Sequence, residues 1–189
     1  QRFGRQGRNI PQAAAWLEKG GRIPRNRRSI YLSSIRSYLF NEVLSVRVAD
    51  RSWNRIVAGD IAMLDGSRST FPCDDADQEL EARCSAFDIH PTGPLPGADG
   101  KQPRDKAQAL EQRVLAGHRP LIDGLARKGV EAGRRGLRLR PAGFEWERDE
   151  DRLALVFELS PGGYATSVLR ELLQTDDAAA RSGRMDGSE

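Results

Sequence analysis

A chain of 189 residues with 38% hydrophobic content is long enough to bury a substantial core, yet it holds no run of about 18 apolar residues that would cross a membrane as a helix. Its net charge of +3 is unevenly placed: residues 1–40 carry nine Lys/Arg against Glu18 alone, and the other 149 residues sum to −5. A basic segment joined to a mildly acidic body points either to an anionic partner met at one place or to a solvated basic face, and argues against a uniformly adhesive surface.

The sequence starts at Gln1 rather than Met, and Arg2-Phe3-Gly4 reads as the middle of something, so a fragment is expected. Asn9 caps a short helix that has Pro11 in its first turn and runs from Gln12 through Trp16 to Lys19, where Gly20-Gly21 stops it. Residues 22–28 follow as a linker kept extended by Pro24 and carrying Arg22, Arg25, Arg27 and Arg28, and a domain crossing is placed there. The strongest helical pattern spans Ser29–Val48, with Tyr31, Ile35, Tyr38, Leu39, Val43 and Val46 at three- and four-residue spacing and Ser33, Arg36, Glu42 and Arg47 mostly elsewhere.

Gly59–Cys73 reads as a β-hairpin turning at Asp65-Gly66, and Asp75–Ser85 as a polar helix. His90–Gly97, with three prolines and two glycines, is predicted to be a loop of fixed shape. Helices follow at Asp105–Leu115 and Pro120–Lys128, then a basic turn at Arg134-Arg135-Gly136. The period then becomes two: Leu137–Arg140 alternates, Phe144, Trp146 and Arg148 continue the repeat, and Leu153, Leu155, Phe157 and Leu159 line one side of a second strand beyond the turn Asp149–Asp151. Beyond Thr175 no apolar face remains, and residues 176–189 are expected to be disordered.

No catalytic constellation is evident. Cys73 and Cys84 lack metal-ligand spacing and read as free thiols; His90 and His118 have no Ser or Cys nucleophile placed beside them and read as surface or structural histidines. The carboxylates are scattered or sit in solvated runs. What stands out is a binding constellation: Arg25, Arg27 and Arg28 in the linker, Arg134 and Arg135 beside the last strands, and an aromatic residue, Tyr164, at the glycine turn Gly162-Gly163. The stretch Gly162–Leu172 reads as a turn into a helix start, where unpartnered N–H groups and the hydroxyls of Thr166 and Ser167 meet a phosphate or a base edge, or as an ordinary glycine turn with a packed tyrosine.

Five separated motifs, in order, resemble one family. These are Gln1-Arg2-Phe3-Gly4 with Trp16 in the short helix after it, Arg25-Asn26-Arg27-Arg28 leading into Ser29-Ile30-Tyr31-Leu32-Ser33, Val57 with Gly59-Asp60, Thr92–Gly97, and Gly163–Leu172. The pattern is similar to that of the TruD-type tRNA pseudouridine synthases and covers residues 1 to about 175. The resemblance implies an α+β fold: a catalytic domain of antiparallel sheet with helices, comprising residues 1–21 and 141–175, interrupted by an inserted α/β domain at residues 22–140. It implies isomerisation of uridine 13 of tRNA to pseudouridine without a cofactor or metal, with RNA in the cleft between the domains.

A ring replaces stacking that the target base loses when it leaves the helix. The family aromatic at Tyr164 is typically phenylalanine, so this chain adds one hydroxyl. Tyr164 is the substrate-contacting aromatic the resemblance implies, with Gln1, Arg2, Thr166 and Ser167 expected beside it, and Arg25, Arg27, Arg28, Arg134 and Arg135, read from the charge pattern, are expected to bind RNA. The family's nucleophilic aspartate lies upstream of Gln1, so no catalytic residue is expected within the chain. The implied protein is a cytoplasmic monomer acting on tRNA. The alternative is a catalytically silent RNA-binding module or tRNA-folding aid. A half-built sheet would expose an edge, and poor solubility is expected.

Overall fold

A computed structural model describes residues 3–4, 7–160 and 162–173. Gln1, Arg2 and the tail at 176–189 lie outside the described residues. The chain divides into two compact units, the first running to Arg138 and the second starting at Leu139.

In the first unit, α1 (Asn9–Lys19) buries Ala13, Trp16 and Leu17, and its last turn ends where Gly20 takes φ 74° and closes on the Trp16 carbonyl. The helix α2 (Arg25–Ala49) buries Tyr31, Ile35, Leu39, Phe40 and Val43, a stripe at the predicted spacing. Its start corrects the linker reading: the chain is extended only as far as Pro24 (φ −55°, ψ 145°), and Arg25–Arg28 already form the first turn of the helix. Proline cannot continue a helix toward its own N-terminal side, but nothing in Arg-Asn-Arg-Arg opposes one, so the helix grows back to the proline.

The hairpin β1 (Ile61–Leu64) and β2 (Thr70–Pro72) forms as read, antiparallel, with Gly66 at φ 67° in its turn. Helix α3 (Gln78–Ser85) is capped by the Asp77 carboxylate, which accepts from the Leu80 N–H at 2.7 Å. The segment expected as a loop at His90–Gly97 is instead largely strand β3 (Ile89–Leu95), which lies inside the four-stranded antiparallel sheet β2-β1-β3-β4. Two prolines are tolerated because the pairing is staggered: β1 pairs with residues 89–91 and β4 (Gly133–Gly136) with residues 92–95, so each half of the strand is laddered on one side. The basic turn predicted at Arg134-Arg135-Gly136 is this edge strand β4. Helices α4 (Asp105–Leu115) and α5 (Arg119–Arg127) complete the unit.

The core has two clusters. Ala13, Trp16, Leu17, Tyr31, Ile35, Leu39 and Leu125 join α1, α2 and α5. Ile56, Ala62, Cys73, Cys84 and Ile89 join the sheet to α3. Helix α2 lies against β3, where a Cβ on Gly93 would come within 3.0 Å of the Phe40 ring and 2.9 Å of Leu137. Only glycine allows that approach.

The second unit is a hairpin and a helix. Strands β5 (Ala142–Arg148) and β6 (Leu153–Glu158) pair antiparallel with Trp146 opposite Leu155, and Phe144 stacks on Phe157 at 5.7 Å between ring centroids. The alternation predicted from Leu137 begins as strand only at Ala142: Leu137 is buried in the first unit, and Arg138 turns back onto the first unit. Helix α6 (Ala165–Leu172) follows the glycine turn.

Candidate nucleic-acid interface

The arginines of this chain fall into two sets according to what meets their donors. Arg47 is 2% exposed and forms a two-toothed pair with Asp60, Nη1 to Oδ1 at 2.9 Å and Nη2 to Oδ2 at 2.8 Å, while also donating to the Ser52 and Arg55 carbonyls. Asp60 in turn accepts from the Val57 N–H at 2.8 Å. This explains the Val57-Gly59-Asp60 motif. Gly59 has φ 81°, and a Cβ there would lie 2.0 Å from the Arg104 carbonyl oxygen. The backbone can therefore close only around glycine, and the closure holds Asp60 against Arg47. The pair was missed in the sequence, though Arg47 stands four residues after Val43 on the same stripe as Leu39. A charge in an apolar stripe is the signature of a buried partner.

Arg134, expected among the RNA-binding arginines, belongs to the same set. Its Nη1 and Nη2 donate to Glu111 at 3.0 and 2.6 Å, and its Nε and Nη2 to the Oγ1 and carbonyl of Thr92 at 3.0 and 2.9 Å. Burial pushes the Glu111 carboxyl up, against the pull of Arg134. Arg138 donates to His90 Nδ1 at 2.8 Å and to the Ile89 carbonyl at 2.7 Å. His90 Nε2 therefore carries the proton that reaches Asp65 at 2.7 Å, and both ring nitrogens serve structure, as the sequence reading held.

The second set is different. Arg22, Arg25, Arg27 and Arg28 are exposed, and none has a carboxylate within ion-pair distance among the described residues. Arg28 donates to the Lys128 carbonyl at 3.2 Å, and the Arg27 N–H is received by Asn26 Oδ1 at 2.8 Å. Arg25, Arg27 and Arg28 crowd the N-terminal turn of α2, which has no acidic residue. The N-terminal end of a helix is its positive end, so each cation there opposes the dipole by about 0.3–1 kcal/mol. Arg135 sits apart from this turn, with its guanidinium 5.1 Å over the Phe40 ring and Nη1 3.5 Å from Ser37 Oγ.

In the second unit, Gly162 takes φ 95°, and a Cβ on Gly163 would meet Leu139 Cδ1 at 2.9 Å and the Ser160 carbonyl oxygen at 3.1 Å. Both glycines are required, and they deliver Tyr164 at the N-cap of α6 with 53% of its surface exposed. The ring is half exposed, as are Trp146, Val156 and Leu172 of the same unit. Thr166 and Ser167 are exposed in the first helical turn, with the Ser167 N–H bonded to the Tyr164 carbonyl at 2.9 Å. Among the described residues no group of three or more His, Cys, Asp or Glu has the arrangement to hold a metal ion, and no helix is long and apolar enough to cross a membrane.

Helices packed on an antiparallel sheet, with a basic helix start and a half-exposed ring at a glycine turn, define an α+β protein. Residues 11–172 match the family described as tRNA pseudouridine synthase D (TruD). The chain is 41% identical to tRNA pseudouridine synthase D of Nitrosococcus oceani, covering 98% of this chain and 53% of that protein. It is 45% identical to the protein of the same name from Methylococcus capsulatus, covering 93% and 50%. A crystal structure described as tRNA pseudouridine synthase D (TruD) from Methanosarcina mazei shares the fold, with a TM-score of 0.64 at 24% identity over 90% of this chain and 44% of that one. The chain belongs to the tRNA pseudouridine synthase D (TruD) family, whose members are isomerases that modify tRNA. It spans about half the length of the curated relatives it matches.

Proposed function

We propose that this chain works as the RNA-engaging part of a tRNA uridine-13 pseudouridine synthase. The observation that carries the reading is the start of α2, where Arg25, Arg27 and Arg28 stand exposed at the positive end of a helix with no acidic residue in its first turn. Phosphates satisfy both the arginines and the open helix end. Arg135 adds to the phosphate-facing set, whereas the donors of Arg134 serve Glu111 and Thr92. Tyr164 stacks on the nucleotide that leaves the RNA helix, a contact worth about 1–3 kcal/mol, with the hydroxyls of Thr166 and Ser167 beside it and Gln1 and Arg2 completing the substrate contacts.

On this reading residues 1–21 and 141–175 belong to the catalytic domain, residues 22–140 to the insertion, and RNA occupies the cleft between them. The reaction breaks the glycosidic bond of the uridine, turns the base and rejoins it through C5, with no cofactor. The aspartate that acts on the uridine is supplied by sequence outside this chain.

Tritium release from 5-tritiated uridine in tRNA tests this. The chain alone is expected to give release no higher than a no-enzyme control while retaining tRNA binding. Mixed with the N-terminal half of a relative, it is expected to restore release. Release by the chain alone would overturn the assignment of the nucleophile. Binding without release in the complemented mixture would leave an RNA-binding module.

A further inference from the structure

Arg36 lies in the middle of α2 and faces the segment that leads into β4, where a Cβ on Gly133 would stand 3.4 Å from its Nη2. Arg47 and Arg134 answer their burial with a carboxylate that meets both outer nitrogens. Arg36 forms no ion pair among the described residues. Its Nη2 donates to the Leu95 carbonyl at 3.3 Å and to the Glu131 carbonyl at 3.0 Å, while its Nε is buried with no partner and its Nη1 has none among the described residues. A guanidinium has five N–H donors, so three of them are unused here. The nearby charge is of the same sign: burial first, and then Arg135, hold Arg36 below the usual arginine range. Arg135 itself lies 5.1 Å over the Phe40 ring with Nη1 3.5 Å from Ser37 Oγ.

Backbone carbonyls fix where the Arg36 guanidinium points without neutralising its charge. Two cations brought together, one of them with a buried donor unpaired, cost folding free energy, and a buried unpaired donor in a native protein is accounted for by an ion as well as by strain. An oxyanion relieves both defects, because it brings negative charge between the cations and offers only acceptor atoms to their N–H groups. We propose that Arg36 and Arg135, with the Ser37 hydroxyl, form a phosphate-binding site at the seam of α2 and β4. The site takes a phosphate group, either of an RNA backbone or as the free ion. Nine residues of helix separate Arg36 from Arg27, about 14 Å along the axis, so this site and the basic start of α2 hold different anions. The site stands on the unused donors of Arg36 and not on the RNA-binding reading above. Where the phosphate belongs to RNA, it gives that reading a second contact point, through a residue that charge pattern alone did not single out.

The test is the thermal midpoint of the full chain in inorganic phosphate against chloride at equal ionic strength. The wild type is expected to show a saturable rise, about 3–6 °C at ten times the dissociation constant for a chain of this size. Arg36→Gln and Arg135→Gln, made separately so that a folding defect in one leaves the other to report, should each abolish the saturable rise. The Arg25→Gln, Arg27→Gln, Arg28→Gln triple variant should keep it. No rise in the wild type would overturn the site, and so would an equal rise in the wild type and both single variants, which is the general stabilising effect of phosphate on proteins. Binding of tRNA then identifies the source. If the RNA backbone supplies the phosphate, Arg36→Gln makes the slope of log K against log salt shallower by about 1, and inorganic phosphate weakens tRNA binding more than chloride does. If the free ion supplies it, that slope is unchanged and the phosphate-dependent rise persists with tRNA bound. Failure of the wild type to bind tRNA would overturn the RNA-binding reading and leave the phosphate site in place.

Discussion

The two units of this chain differ in how completely they use their own surface. In the unit ending at Arg138, two apolar clusters close the core, and the buried charges Arg47, Asp60 and Glu111 each have a partner. In the unit starting at Leu139, a two-stranded hairpin and one helix leave Trp146 66%, Val156 64% and Leu172 51% exposed. A hairpin of two strands is marginal in water and gains stability when its apolar face is covered. The first unit closes its own core, and the second leaves apolar side chains of its hairpin and helix exposed among the described residues.

The largest expected effect lies in the first unit. Asp60→Ala leaves Arg47 as a buried charge without its carboxylate and is expected to cost about 3–5 kcal/mol. A fall in the urea midpoint of the whole transition checks it, and a loss below 1 kcal/mol would mean that water reaches the pair. Removing residues 139–189 sharpens the contrast from the other side. The remaining chain is expected to keep a cooperative thermal transition, and hydrogen exchange on the intact chain should be slow in α2 and β3 but fast in β5 and β6. Equal protection in both units would break the comparison.

The two thiols give a smaller effect with a definite sign. Burial pushes Cys73 up to about 11 and Cys84 in the same direction. The folded state thus holds these protons after the unfolded chain has lost them, near pH 8.5. The stability this contributes is complete below that pH and is lost as pH rises toward 11. The urea midpoint should fall between pH 8 and pH 10, less so in Cys73→Ala measured against its own midpoint at pH 8, and neither thiol should react with a disulfide reagent at pH 8 until the protein unfolds. The smallest effect is on Tyr164→Phe: with its ring exposed and its side chain making no cap hydrogen bond, stability should change by less than about 0.5 kcal/mol, read from the same urea curves.

What the sequence disclosed follows the range of the interactions concerned. Helix α2 and the hairpin turn at Asp65-Gly66 were legible because periodicity and turn chemistry are local. Strand β3 was not: Pro91, Pro94 and Pro96 dominate the local signal, while the staggered pairing that accommodates the first two comes from β1 and β4, distant in sequence. The arginines show the same limit within the site. By charge alone Arg134 equals Arg27, and only the arrival of Glu111 and Thr92 beside one of them separates a structural cation from an available one. Tyr164 was legible as a ring at a glycine turn, but its exposure depended on how Gly163 packs against Leu139 and Ser160. The family resemblance read from the five motifs agrees with the match over residues 11–172.

The central claim is that the exposed arginines at the start of α2, which have no carboxylate partner among the described residues, meet RNA phosphates, rather than the carboxylate-paired ones. It is tested most directly by the salt dependence of tRNA binding by the wild type and by the Arg25→Gln, Arg27→Gln, Arg28→Gln triple variant. If each arginine neutralises one phosphate, the slope of log K against log salt should become shallower by about 2 to 3 in the variant. An unchanged slope would place the phosphate contacts elsewhere and contradict the account.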